Sequence, residues 1–155
     1  TDTYGKPFNF REQTEGKVAL LFFGYTHCPD ICPVHLANIA AVLKKLSPEV
    51  NNAVRVVFVT TDPRRDTPEA IRAYLDKFDS RFIGLSGDSL ALRGAMRQLP
   101  VGTPIIEPGA NDSSYTVGHS AMVLAFTRDN LAHVVYPFGI RQQDWARDLP
   151  LLAEQ

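Results

Sequence analysis

Cysteine is scarce in this sequence, with two residues in 155, Cys28 and Cys32. That is too few for the disulfide framework of a small secreted scaffold, and the pair alone does not fix a redox compartment. Neither sign of charge is in excess: 16 Lys and Arg stand against 17 Asp and Glu, for a formal net charge of −1. With no basic stripe or charge run, the chain is not a candidate for nucleic acid or an anionic membrane surface. The longest apolar stretch falls far short of a bilayer span. There is no signal peptide, internal repeat or low-complexity tract. The sequence opens at Thr1 without Met, as a trimmed chain would, so the lack of a leader or anchor is uninformative. No glycine-rich phosphate loop and no Ser-His-Asp arrangement is visible.

What is present suits one ordinary globular domain over residues 1–155, since 45% hydrophobic residues in a chain of this length can bury a full core. The organising stretch is Gly24-Tyr25-Thr26-His27-Cys28-Pro29-Asp30-Ile31-Cys32-Pro33, which holds both cysteines. It lies where an apolar run, Val18 to Phe23, gives way to helical periodicity from Val34 to Leu46, so it reads as strand, loop, helix. Cys28 then falls in the loop or first helical turn, where unsatisfied N–H groups and the helix dipole favour a thiolate. Cys32 follows four positions later. On a helix this spacing puts the two Cβ atoms on one face about 6 Å apart, within reach of a disulfide and equally able to share one metal ion.

Taken in order, Thr1 to Gln13 reads as a short edge hairpin around Gly5 and Pro7. Val18 to Phe23 is apolar on both faces, as in a strand covered by helices on each side. The following helix puts Leu36, Ile39, Ala40, Leu43 and Leu46 on one stripe and ends near Ser47-Pro48. Val54 to Thr60 is a second strand. Beyond it Asp66 or Thr67 caps a helix with Pro68 in its first turn, burying Ile71, Tyr74, Leu75 and Phe78. Phe82 to Leu85 is a short strand, and Asp88 or Ser89 caps a third helix reaching Leu99. Pro100 to Ser114, punctuated by Pro and Gly, is a loop or loose hairpin. Ala121 to Phe126 and Leu131 to Tyr136 form a hairpin through Thr127-Arg128-Asp129-Asn130. A last helix from Gln142 to Leu152 carries Trp145, Leu149 and Leu152, with Pro150 expected to cut or kink it. This order predicts an α/β, thioredoxin-like fold: a central mixed sheet flanked by helices, with a C-terminal β-hairpin and helix.

In such a sheet the functional loops leave the C-terminal ends of the parallel strands. Cys28 follows the first strand and Asp62 the second, so both reach one edge. His119 precedes the strand from Ala121, and if that strand is antiparallel its beginning faces the same edge, with Tyr136-Pro137-Phe138 as an apolar rim. Cys28, Cys32, Asp62 and His119 can therefore meet.

Several chemistries fit that meeting. A structural disulfide closing so small a loop stabilises by roughly 2 kcal/mol, which a core of this size hardly needs. A tetrahedral zinc site would also draw on His27, His35, His119 or His133. A thiol–disulfide enzyme fits the pair, although such enzymes favour C-x-x-C spacing. Two thiolates and an imidazole suit copper, with soft sulfur holding Cu(I) and imidazole extending the set to Cu(II). Asp62 and Asp66 are also natural turn and cap residues, and Met96 and Met122 natural core.

Gly5-Lys6-Pro7, Gly16-Lys17, the stretch from Phe23 to Pro33, Asp62-Pro63-Arg64-Arg65-Asp66-Thr67 and Gly118-His119-Ser120 together resemble the Sco/SenC family. The resemblance runs from Gly5 to about Gly139. It implies a thioredoxin-like fold tethered by an N-terminal transmembrane helix. The domain would face an extracytoplasmic compartment, either the bacterial periplasm or the mitochondrial intermembrane space. It also implies copper bound through Cys28, Cys32 and His119 and a redox-active Cys28–Cys32 disulfide, while the place of Asp62 at the same edge makes it a candidate carboxylate behind the ligands. The implied role is assembly of the binuclear copper centre of cytochrome c oxidase subunit II, by delivering copper, by reducing that subunit's cysteines, or both. Another copper carrier would act as donor. One departure stands out: many members carry Asp before the histidine, where this chain has Gly118. A peroxidase of the peroxiredoxin or glutathione peroxidase kind fits less well, because Cys28 lacks a Thr three positions before it and the only Trp is Trp145.

Overall fold

The strand Val18–Gly24 (β1) is buried along its whole length, because its alternate residues supply two different cores. Val18, Leu20 and Phe22 face one cluster, while Leu21 and Phe23 face another. In the computed structural model, which describes residues 1–101, 105–107, 109, 116–118 and 122–155, β1 is the centre of a five-stranded sheet. The other described elements, in chain order, are α1 (Phe10–Gln13), α2 (Ile31–Leu43), α3 (Pro48–Ala53), β2 (Val54–Thr60), α4 (Pro68–Leu75), β3 (Ile83–Leu85), α5 (Ser89–Arg97), β4 (Ile105–Glu107), β5 (Thr116–Gly118), β6 (Val123–Phe126), β7 (Ala132–Tyr136) and α6 (Gln142–Glu154).

The sheet runs β3-β2-β1-β6-β7. β1, β2 and β3 are parallel, with Val18 opposite Val54 and Val57 opposite Ile83. β6 is antiparallel to β1, with Phe22 opposite Val123, and β7 is antiparallel to β6. The sheet is therefore mixed, as predicted. One face packs against α2, α4 and α6 through Leu36, Ile39, Ile71, Leu75, Trp145 and Leu149. The other packs Leu21, Phe23, Val57, Val59 and Leu124 against Met96 of α5 and Val101.

The caps follow the predicted chemistry where a choice was open. Thr67 caps α4 by accepting from Ala70 N at 3.2 Å, and Asp88 caps α5 by accepting from Leu90 N and Ala91 N at 3.0 and 2.8 Å.

Three expectations differ from the structure. The first thirteen residues do not form a hairpin. Asp2 accepts the amides of Tyr4 and Lys6 at 2.9 Å each and turns the chain at Gly5, whose φ is +78°. Asp2 then bridges to Leu85 on the sheet edge, and the chain runs on into the single turn α1, whose Phe10 meets Phe126 at 4.8 Å. The helix after the cysteines stops at Leu43, and a separate helix, α3, begins behind Ser47, which accepts from Val50 N at 3.4 Å. The stretch from Pro100 agrees with the loose hairpin expected of it: β4 within it pairs antiparallel with β5 just beyond. Finally, α6 runs through Pro150 to Glu154. Pro150 forgoes one helical hydrogen bond, a cost of about 3 kcal/mol, but Leu149, Leu152 and Ala153 on either side of it are buried against the core.

Candidate metal centre

The tight geometry of the site begins at Gly24, where β1 ends. A Cβ there would lie 2.8 Å from Phe58 Cε2, 2.9 Å from Cys32 Sγ and 3.3 Å from Phe22 Cε1. Glycine is thus the one residue that lets the sulfur of Cys32 settle directly over the strand end. The chain then turns through Tyr25, whose carbonyl accepts from Cys28 N at 3.2 Å, and enters α2 at Ile31.

The start of α2 is capped by sulfur. Asp30 occupies the N-cap position but its side chain makes no cap hydrogen bond. Instead Cys28 Sγ accepts from the backbone N–H of Cys32 at 3.4 Å. Pro33, next in the turn, has no N–H to satisfy. Cys28 is 9% exposed and Cys32 fully buried, and both are thiols. The two sulfurs interact directly: Cys32 donates to Cys28, and this bond, followed by burial and the nearby Cys28 charge, pushes the Cys32 thiol well above the ordinary thiol range. A backbone hydrogen bond from Tyr25 to Cys32 acts in the opposite direction. The inner sulfur thus holds its proton strongly, and a metal ion bound there would displace it.

The loop carrying Cys28 is pinned to β2 by Asp66. This buried carboxyl group accepts from Thr26 N at 3.0 Å, Thr26 Oγ1 at 2.6 Å and Thr60 Oγ1 at 2.7 Å. Thr61 adds a second tie, with its N and Oγ1 both donating to Gly24 O at 2.7 and 3.2 Å. Sequence reasoning offered Asp66 as a cap and Asp62 as the functional carboxylate. In the structure Asp66 is the carboxylate whose charge acts on Cys32. Asp62, also buried, accepts from Arg65 Nε and takes its own N–H to Thr60 Oγ1 at 2.9 Å. Arg65 in turn lies 5.8 Å over the ring of Tyr25. The signal that could have found Asp66 is the pair Thr26, in the turn after β1, and Thr60, at the end of β2, with a carboxylate six residues past Thr60.

β6 begins at Val123 opposite Phe22, so the antiparallel strand does start at the cysteine edge. The residue that made this matter, His119, lies outside the described residues. The described histidines are engaged elsewhere. His27 is largely exposed, with Nδ1 3.2 Å from Thr26 Oγ1 and 3.8 Å from Asp66 Oδ1. His35 is buried, its ring 5.3 Å from those of both Phe22 and Phe138. His133 bonds Asp129 at 2.7 Å on the far hairpin. Tyr136, expected at the rim, turns into the core against Trp145 at 4.2 Å, while Pro137 and Phe138 are exposed. Among the described residues no three His, Cys, Asp or Glu side chains gather closely enough to hold a metal ion. A soft metal held here would use the two sulfurs and recruit a further donor from outside them, and two buried soft sulfurs on one helix turn fit copper(I) as cargo.

These features define a class: a thioredoxin-like α/β protein with a C-x-x-x-C dithiol at the sheet's C-terminal edge. The particular family follows from comparison. The SCO1/SenC family model matches residues 1–154, and the chain belongs to this family. Bradyrhizobium japonicum ScoI, in a structure with copper bound, is 34% identical with a TM-score of 0.86, over 98% of this chain and 94% of that one. A "putative copper-binding protein" of Stutzerimonas stutzeri is 35% identical over 119 residues, covering 77% of this chain and 57% of that protein. Mitochondrial "Protein SCO2" of Saccharomyces cerevisiae is 33% identical over 120 residues, covering 77% of this chain and 40% of that protein. This chain thus spans about half the length of these curated relatives. Among its described residues no helix is long and apolar enough to cross a membrane.

Proposed function

We propose that this chain is a copper metallochaperone that holds one copper ion through Cys28, Cys32 and His119 and assists assembly of the binuclear copper centre of cytochrome c oxidase subunit II. The observation that carries the reading is the sulfur pair itself. Cys28 caps α2, Cys32 is seated over Gly24, and the two are already in hydrogen-bond contact. Membership of the family and the copper-bound state of ScoI support it. Residues 1–155 act as one domain, on the extracytoplasmic side of a membrane and tethered there in the full-length protein, with another copper carrier as donor.

Binding proceeds by exchange of protons for metal. Copper replaces the proton of Cys32, and that of Cys28 where it is still held, and the protons pass to solvent. His119 supplies the third donor, which Cu(II) requires and Cu(I) does not. Asp66 keeps the cysteine loop seated on β2, and Asp62 acts at one remove, by holding Arg65 over Tyr25. The ion leaves to a client's ligands by loss of the imidazole first, since Cu(I) can be held by the two sulfurs alone.

A second reading, thiol–disulfide reduction, is favoured by the difference in exposure between the two sulfurs. Cys28, the more exposed, attacks a client disulfide and releases one client thiolate. Cys32 then attacks the mixed disulfide, yielding the second client thiol and the Cys28–Cys32 disulfide. His119→Ala separates the readings, because a dithiol reductase needs only the sulfurs. We expect His119→Ala to weaken Cu(II) binding by at least about a hundredfold, to leave Cu(I) binding within a few-fold, and to spare reduction of a disulfide peptide. Unchanged Cu(II) affinity would remove His119 from the site and put the reductase reading first.

A further inference from the structure

Three of the chain's five lysines, Lys44, Lys45 and Lys77, surround one groove. It lies on the helical face of the sheet, between α2 and the end of α4, and holds about 370 Å³. The floor is apolar, made by Ala37, Ala40 and Ala41 of α2 with Phe78 across from them. Lys44 and Lys45 follow the last residue of α2 and Lys77 follows α4, so cations stand on both walls, and all three are exposed. No carboxylate lines the groove. The two nearest in sequence are spent on arginines: Asp76 pairs with Arg72 at 2.8 Å and Asp79 with Arg81 at 2.6 Å. Lys44 acts on Asp79 only through space. Among the described residues none of the three ammonium groups makes an ion pair or hydrogen bond. A cation at a helix C-terminus is favoured by the helix dipole. That accounts for the lysines one by one, but not for their gathering around an open apolar floor in a chain whose net charge is −1.

We propose that this groove is a docking site for an acidic amphipathic helix of a partner protein. Its apolar ridge would rest on the alanines and Phe78, and its carboxylates would meet Lys44, Lys45 and Lys77. The floor favours a helix because alanine side chains allow a second helix axis to approach α2 closely, and a groove between two helices is a common seat for one. From Ala37 to Lys45 the groove follows eight residue steps of α2, about 12 Å, or two turns of an occupant. Its shape decides against an anionic bilayer. Ala40, at the bottom, is only 4% exposed, so a flat surface would touch the lysines and miss the floor, whereas a ridge of side chains reaches both. A seat this small supports a transient, salt-sensitive complex rather than a permanent one. Lys44 stands twelve residues along the helix from Cys32, about 18 Å, so a partner docked here leaves the dithiol uncovered. The docking site is independent of the copper reading.

The test uses the chain as it stands and a synthetic 18-residue helical peptide, capped at both ends, with a leucine stripe flanked by glutamates. Titrated into the isotopically labelled chain, the peptide should shift the amides of the second half of α2 and the end of α4 and leave those of Cys28 and Cys32 in place. Its affinity should fall at least tenfold between 50 and 500 mM salt. It should also fall at least tenfold in Lys44→Glu/Lys77→Glu, where attraction becomes repulsion. Replacing all three lysines by Gln, a milder change at exposed positions, should lower it severalfold and leave the melting temperature near that of the wild type. A peptide of the same composition in scrambled order, without the leucine stripe, should bind at least tenfold more weakly. No binding, binding that the lysine variants leave unchanged, or equal binding of the scrambled peptide overturns the proposal. So does lysine-dependent binding to phosphatidylglycerol vesicles without binding to the peptide, which would make the surface a membrane contact.

Discussion

A methyl group added at Gly24 would have nowhere to go. Its three nearest neighbours are two aromatic rings and the Cys32 sulfur, all part of a closely packed core that cannot swing aside. Gly24→Ala should therefore cost about 1–3 kcal/mol of stability and displace Cys32 from its seat. A denaturant midpoint lowered at constant slope, together with weaker Cu(I) binding, is the expected outcome. A variant with wild-type stability and affinity would show that the sulfur's seat is not set by the strand end. At this scale the cysteines are plain in the sequence because only two exist and their spacing is helical. Gly24 and Asp66 are not. Each matters through an atom brought close by a different strand or helix, and local spacing carries no trace of that.

Elements fix how firmly the site is held. The loop between β1 and α2 touches β2 through Asp66, which accepts from both Thr26 and Thr60, so one side chain links the cysteine loop to the neighbouring strand. Replacing it by Asn keeps the shape but turns one acceptor oxygen into a donor facing hydroxyls and an amide. Asp66→Asn should lose about 2 kcal/mol of stability and make Cys28 react faster with an alkylating reagent as the loop loosens. If alkylation and stability are both unchanged, Thr61 alone suffices to seat the loop. Strong periodicity makes β1, β2, α2, α4 and α6 legible without coordinates. The elements that escape are the short ones, α1 and α3, whose few residues show too little period. Pro150 misleads for a different reason: propensity is local, while the burial of Leu149 and Leu152 that overrides it is tertiary.

For the molecule as a whole, the sheet's topology decides which residues can cooperate. Parallel β1 and β2 bring the cysteine loop and Asp62 to one edge, and antiparallel β6 starts there as well. That convergence is legible from element order alone, since a strand–helix–strand–helix series ending in a hairpin has few alternatives. The central claim, that the dithiol is a copper-binding site and that its oxidation switches it off, is tested most directly by anaerobic Cu(I) titration of the chain in two states, fully reduced and verified as the Cys28–Cys32 disulfide. The reduced chain should bind one equivalent tightly and the disulfide form none, because disulfide sulfurs are not thiolate ligands. One tight equivalent in the oxidised chain, or none in the reduced one, would contradict the account.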